Sequence, residues 1–335
     1  MQIFHNVSLK PYNTFGIDIY AKLFAGFTNI YELEEVLVEN TEQLLILGGG
    51  SNILFTKNYD GLVLKNEIGS IELVKEDEDY VYVKVGAGIG WHAFVLYCIE
   101  NNYAGVENLS LIPGNVGASP MQNIGAYGVE VKDVFFSLEA YNIKDKKIIN
   151  FTKVDCAFGY RESVFKNKFK GQFIITTVTF QLNKKPNYNT SYGAIESELE
   201  KMGVQNFSIK AISDAVINIR QSKLPNPAVI GNAGSFFKNP TVSNEYFYTL
   251  KNKFPNIVGY AVGDKETKLA AGWLIEQCGW KGYKDGDVGC HEKQALVLVN
   301  YGNAIGEEIL LLSTKIMDSV NSMFGVDLQR EVNIV

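Results

Sequence analysis

Three adjacent glycines stand directly behind an apolar run in Leu44-Leu45-Ile46-Leu47-Gly48-Gly49-Gly50-Ser51-Asn52, and this junction constrains the fold more than any other segment. The apolar run reads as a buried strand. The glycines after it must turn the chain and leave a row of backbone N–H groups bare of side chains. Such a row can form a nest for pyrophosphate oxygens. The spacing is not G-x-G-x-x-G and no obvious long helix follows, so the segment is not a Rossmann fingerprint. A second stretch contains Gly105, Gly114, Gly117, Gly125 and Gly128 among few bulky side chains. It can lie flat along an extended dinucleotide. By themselves the two segments leave FAD, NAD, ATP and a plain turn all open.

A chain of 335 residues has room for about two or three domains, each with its own core. Lys plus Arg number 31 against 37 for Asp plus Glu, a net charge of −6. That balance argues against a nucleic-acid surface but allows a phosphorylated substrate, for which a few local cations suffice. The start, Met1-Gln2-Ile3-Phe4-His5-Asn6, lacks the basic-then-apolar order of a signal peptide. No apolar stretch approaches the roughly 20 residues that span a bilayer. The expectation is a cytoplasmic protein with no membrane partner, and nothing demands more than a monomer. Cys98, Cys156, Cys278 and Cys290 form no C-x-x-C pair and read as buried reduced thiols. His5, His92 and His291 show no ligand spacing, so no metal is expected. Cys290-His291 reads as a loop, with a Cys–His nucleophilic pair left open.

Strands are expected at 44–47, 61–65, 81–85, 136–143, 173–182 and 295–300. Val81–Val85 should have one wet face. Helices are expected at 30–39, 91–101, 211–221, 267–278 and 304–323. In the last, Ile305, Ile309, Leu312, Ile316 and Val320 form a core stripe. Lys184–Asn189 and Arg220–Pro227 read as exposed connections, the second marking a domain boundary. No internal repeat or low-complexity tract is present.

A third segment, Gly231-Asn232-Ala233-Gly234-Ser235-Phe236-Phe237-Lys238-Asn239-Pro240, places a hydroxyl, an ammonium and a carboxamide within five residues. Phe236 and Phe237 can anchor it and leave Ser235 free to reach a reacting group, with Pro240 ending the turn. Alone it is more economically a tight turn. Together with Gly48–Asn52, the run Ile112–Gly128, Tyr12–Gly16 and Arg330-Glu331-Val332, however, it resembles one family in order and spacing over essentially the whole chain. That family is UDP-N-acetylenolpyruvoylglucosamine reductase, the flavoenzyme that completes UDP-N-acetylmuramate for peptidoglycan.

The resemblance implies an α+β, vanillyl-alcohol-oxidase-type (PCMH-like) FAD-binding fold of two subdomains plus a C-terminal α+β substrate-binding domain. The expected division is 1–70 and 71–219 for the two FAD-binding subdomains and 220–324 for the substrate domain, with the tail 325–335 returning near the first. FAD would be held by Gly48, Gly49, Gly50, Ser51, Asn52, Gly114, Asn115, Gly117, Ala118, Ser119, Gln122, Asn123, Gly125, Ala126 and Tyr127. NADPH would recharge the flavin. The substrate would be UDP-N-acetylglucosamine enolpyruvate, taking hydride at its methylene carbon and a proton at the neighbouring one. The matched catalytic positions are Arg161, a fixed charge able to bind carboxylate; Ser235, the proton donor; and Glu331, which helps polarise or protonate the intermediate. A structural Arg161–Glu162 pair and an exposed tail Glu331 are the alternatives. Tyr160, Tyr192, Lys223, Asn239 and Gln294 match substrate contacts, Tyr192 being the mobile tyrosine of one subclass.

Around Gly259–Asp264 the pattern departs from the family, and Tyr260 carries no firm role. Lys268–Ile275 matches well and reads as a helix with Trp273 in the core, supporting the substrate site. Two other functions compete: a different oxidoreductase on the same flavin fold, and a flavin- or nucleotide-sugar-binding protein without turnover. Only the reductase needs Arg161, Ser235 and Glu331 together.

Overall fold

The structure is a computed structural model and describes residues 2–335. Its contacts gather the chain into two units, each assembled from several segments. One comprises the chain up to Val7, Ala21–Gly49 and Asp60–Ser222; the other comprises Ser8–Tyr20, Gly50–Tyr59 and Lys223–Val335.

The first unit holds two sheets. In a four-stranded sheet the order is Phe4–Ser8, Tyr20–Phe27, Tyr59–Asn66, Leu44–Leu47, and the last two are parallel with Leu44 opposite Leu62. The helix Ile30–Glu39 packs Leu33 and Val36 onto Phe27, Leu62 and Leu64. Its start is fixed by Asn29, whose side chain accepts the Glu32 N–H at 3.0 Å, while Glu32 accepts the Thr28 N–H at 2.7 Å. The five-stranded antiparallel sheet runs Lys147–Thr152, Phe135–Asn142, Phe173–Asn183, Tyr80–Gly86, Ile71–Glu76. Its core includes Val81, Val83 and Val85 under the aromatic trio Trp91, Phe94 and Phe180. The face expected to be wet is largely covered: Tyr82 packs edge-on to Phe136, and Lys84 pairs with Glu139 at 2.8 Å. A small cluster joins the helix Gly193–Lys201 to the helix Ile209–Lys223 through Ile195, Leu199, Ile212, Ala215, Val216 and Ile219.

The second unit is built on the four-stranded sheet Gly231–Ser235, Val297–Asn300, Val288–Cys290, Lys284–Asp285. The helix Gly306–Phe324 buries Ile309, Leu312, Ile316, Val320 and Phe324, the expected stripe except that Ile305 caps the helix from outside and is exposed. No helix among the described residues is long and apolar enough to cross a membrane.

Five expectations are corrected. Arg220–Pro227 is not a connection throughout, because the helix continues to Lys223 and stops only where Pro225 forbids it. Thr267 lies in the strand Glu266–Leu269, and the helix begins at Ala271. There the Asn239 side chain accepts the Ala271 N–H at 3.0 Å and sets the start. Trp273 is half-buried against Phe324 rather than fully in the core, and Cys278 is half-buried rather than buried. Finally, Gly231–Ser235 is a strand, not a turn. Its register with Val297–Asn300 slips between Asn232 and Ser235, where Gly234 takes φ +69°. A left-handed glycine inserting an extra residue is the signature of a bulge, which local sequence alone reads as a turn.

Candidate active site

In the second unit the bulge delivers Ser235 opposite Val297, half-buried at the strand end. Phe236 and Phe237 follow it into the core, fully buried with rings 5.3 Å apart, and Phe15 meets Phe236 edge-on at 6.2 Å. They anchor the segment as expected. The C-terminal tail runs alongside: Lys238 N–H donates to Gln329 O at 2.9 Å, Phe237 bridges Arg330, and Glu331 N–H donates to Phe236 O at 2.8 Å. Ser235 and Glu331, far apart in sequence, therefore lie in one unit, the tail around Glu331 bridged to the segment that follows Ser235. The tail is pinned twice more. Arg330 donates from Nε to Ser313 Oγ at 2.8 Å and from its terminal nitrogen to Thr314 Oγ1 at 2.7 Å. Asn52 donates to Glu331 O at 3.3 Å and accepts from Asn333, whose strand pairs with Ile53–Leu54. Glu331 is thus half-buried in a fixed tail, not a loose terminal residue.

In the first unit Arg161 sits at φ +56°, an uncommon conformation for a large side chain. Its guanidinium donates to Gly125 O at 2.8 Å and lies over the Tyr160 ring. Gly125 opens a hairpin, Gly125–Ala126 against Val129–Glu130, whose two central residues Tyr127 and Gly128 have φ +50° and +80°. Those angles suit a type I′ turn, which disfavours a bulky residue in its first central position. Tyr127 is held there by its surroundings. The buried Asn108 donates to Tyr127 O at 3.0 Å, and Asn189 donates to Gly128 O at 3.1 Å. Positive-φ residues thus cluster beside Arg161. The carboxylate of Glu162 accepts from Asn167 at 2.9 Å.

The glycine-rich stretch lies along the strand-to-helix corner 87–91. Trp91 N–H donates to Gly114 O, Val116 N–H to Ile89 O and Gly117 N–H to Ala87 O, at 2.8 to 3.0 Å. A Cβ on Gly117 would come within 2.5 Å of the Ala87 side chain, and one on Gly49 within 2.9 Å of Gly114 Cα and Asn115 Oδ1. The backbones of Gly49 and Gly114 thus meet at a contact no side chain would permit. A junction this bare of side chains is what a pyrophosphate cradle requires. Among the expected cofactor residues, Ser119 and Asn123 are fully buried. Ser119 donates to Val116 O at 2.7 Å; Asn123 donates to Glu130 and Gly159 at 3.1 Å and accepts from Lys132 N–H. They shape the cradle and tie it to the loop before Arg161.

The expected substrate residues divide between the units. Tyr192 is exposed, and its ring meets Tyr127 edge-on at 5.4 Å in the first. In the second, Asn239 and Gln294 use their side-chain oxygens on Ala271 N–H and Leu296 N–H, leaving amide NH2 groups to donate elsewhere. Lys223 is exposed at the helix end, and Tyr260 is exposed on the strand Gly259–Val262. The Cys–His alternative fails. Burial pushes the Cys290 thiol up to about 12, and it donates to Ala295 O at 3.1 Å, so it is no thiolate. Sequence reasoning missed Arg220. The signal was available, since Ile209, Ile212, Val216 and Arg220 recur at helical spacing on one face.

Comparison with known proteins then decides the family. UDP-N-acetylenolpyruvoylglucosamine reductase from Flavobacterium johnsoniae is 52% identical over 337 residues, covering all of both chains. The chain belongs to the UDP-N-acetylenolpyruvoylglucosamine reductase family. The like-named proteins of Amoebophilus asiaticus and Bacteroides fragilis are 51% and 45% identical over 100% and 98% of this chain and of their own lengths. The profile for the C-terminal domain of UDP-N-acetylenolpyruvoylglucosamine reductase matches residues 226–335, and one for an FAD-binding domain matches 22–152. The crystal structure of the reductase from Thermus caldophilus superposes with a TM-score of 0.71 at 22% identity, covering 100% of this chain and 99% of that one. The fold is therefore the expected α+β, vanillyl-alcohol-oxidase-type flavin-binding architecture with a C-terminal domain, and the chain is an FAD-dependent oxidoreductase of the reductase family. The FAD-binding match contains both glycine segments, and the C-terminal match contains Ser235, Asn239, Gln294 and Glu331. Arg161, Tyr192 and Arg220 fall between the two matches.

Proposed function

We propose that the protein reduces the enolpyruvyl ether of UDP-N-acetylglucosamine enolpyruvate to UDP-N-acetylmuramate at the expense of NADPH, acting as a cytoplasmic monomer in peptidoglycan precursor synthesis. Bound FAD supplies the hydride carrier between nicotinamide and substrate. The residues supply binding, charge and a proton. Arg161 binds the enolpyruvyl carboxylate and stabilises the charge that accumulates there, a task suited to a guanidinium that stays ionised and can engage both oxygens. Ser235 delivers the proton to the carbon beside that carboxylate. A free serine is a weak acid, so the strongly basic enolate-like acceptor drives the transfer, and Glu331 polarises it from the bridged C-terminal tail. Tyr160, Tyr192, Lys223, Asn239 and Gln294 bind the nucleotide-sugar and its diphosphate, with Asn239 and Gln294 acting through their free amide donors. The expected division into FAD-binding subdomains 1–70 and 71–219 and a substrate domain 220–324 is kept as part of this reading.

The observation that carries it is the bond from Glu331 N–H to Phe236 O, which holds an acid beside the strand that presents Ser235. The test is Ser235→Ala. Turnover should fall by about 10²–10⁴, while NADPH still bleaches the bound flavin at an unchanged rate. Unchanged turnover in both Ser235→Ala and Glu331→Gln would remove the catalytic assignment and favour binding without chemistry.

A further inference from the structure

The helix Ile209–Lys223 turns one stripe of side chains toward the glycine-rich stretch. Ser213 Oγ lies 2.8 Å from Ser110 Oγ, both buried, and Val216 follows in the core. Arg220, seven residues after Ser213, falls on the same side two turns later. There its guanidinium donates toward the Tyr127 hydroxyl and reaches the surroundings of His92. His92 accepts the Leu111 N–H on Nδ1 at 3.0 Å, so both neighbours of Arg220 are tied to the same stretch. Arg220 itself is half-buried, with its Nε fully buried and lacking a hydrogen-bond partner.

Its neighbours do not neutralise it. Burial pushes the Tyr127 phenol up against the opposing pull of Arg220, and burial followed by the charge of Arg220 holds His92 below its usual value. Both are therefore neutral near pH 7, and no carboxylate among the described residues offsets the guanidinium. A buried cation whose charge nothing offsets is costly, and one of its N–H groups is also unsatisfied. Such an arrangement is retained where a bound ligand completes it.

We propose that Arg220 is an anion-binding residue of the flavin-binding unit, its guanidinium shelved on Tyr127 and His92 to receive a negatively charged oxygen of a bound ligand. The ligand chemistry has two sources, FAD and the nucleotide-sugar substrate. Tyr127 stands in the stretch that cradles the dinucleotide and also touches Tyr192, so the position serves either. Only the substrate arm rests on the proposed reaction; the FAD arm rests on the flavin-binding fold alone.

The experiment uses the full chain with Arg220→Met and Arg220→Lys. FAD affinity is read by fluorescence quenching on adding FAD to apoprotein, without turnover. Substrate affinity is read on the holoenzyme from the perturbed flavin spectrum when UDP-N-acetylglucosamine enolpyruvate is added. If FAD supplies the anion, Arg220→Met weakens FAD binding by roughly tenfold or more, and lysine restores part of it. If the substrate supplies it, FAD binding holds and substrate binding weakens by a similar factor. Both affinities within twofold of wild type, in folded protein, would overturn the proposal. Should Arg220→Met not fold, Tyr127→Phe removes the shelf's hydroxyl and leaves the cation. It should weaken the same ligand by a smaller factor, and no change in either affinity would again overturn the proposal.

Discussion

The backbone N–H of Glu331 donates to the carbonyl of Phe236 at 2.8 Å, so a residue four positions before Val335 is held beside the one that follows Ser235. A second bond, from Lys238 N–H to Gln329 O, completes the antiparallel bridge between Phe237 and Arg330 and makes this a seam rather than a chance contact. The buried Phe236 and Phe237 fix one side of the seam, and the helix Gly306–Phe324 fixes the other through Arg330.

Arg330 is the fastening point. Its guanidinium bonds Ser313 and Thr314 with both contacts partly buried. Arg330→Ala should cost about 2–3 kcal/mol, in line with hydrogen bonds made by a charged donor. It should also lower turnover more than it weakens FAD binding, because Glu331 loses its anchor. Thermal melts and steady-state kinetics on the same preparation check both parts.

Gly117 tests the cradle. An added methyl would press on the Ala87 side chain at 2.5 Å in a well-packed corner. Gly117→Ala should destabilise by about 1–3 kcal/mol through overpacking and weaken FAD retention during gel filtration. A variant that keeps wild-type flavin content and stability would show that the corner can relax and does not shape the cofactor site.

Glu107 gives a signed pH dependence. It is 3% exposed and accepts the Gly105 N–H at 2.6 Å; burial pushes its carboxyl up, against the backbone hydrogen bonds that pull it down. The folded protein then holds this proton more tightly than the unfolded chain does. Its contribution to stability is fully present below the unfolded value of about 4.3 and is lost as pH rises through the higher folded value. Glu107→Gln, which keeps an acceptor for Gly105, should flatten that decline and be at least as stable as wild type at pH 8. Denaturant midpoints from pH 4 to 8 measure it.

Much of this was legible in the sequence, for identifiable reasons. Leu44–Leu47 and Ile30–Glu39 match the expected ranges to the residue, the first as an apolar run and the second as a helix whose start Asn29 fixes locally. The strand Gly231–Ser235 was not, because a bulge sacrifices alternation and leaves only glycines to see. The start of the helix at Ala271 was missed because its cap, Asn239, lies 32 residues earlier. The resemblance placed Ser235 and Glu331 on one list, but only the tertiary bridge between Phe237 and Arg330 brings the tail beside the Ser235 segment. Arg220 was overlooked because Arg220–Pro227 reads as an exposed connection at a domain boundary. Its place on the apolar face with Ile209, Ile212 and Val216 was the signal against that reading.

The central claim is a substrate-directed reduction with protonation by Ser235, and an anaerobic half-reaction tests it most directly. NADPH is added to reduce the bound flavin, UDP-N-acetylglucosamine enolpyruvate follows, and absorbance near the oxidised flavin band is recorded. The expected result is rapid return of the oxidised spectrum in the wild type and a much slower return in Ser235→Ala. A flavin that accepts electrons from NADPH and stays reduced in the presence of this substrate would contradict the account.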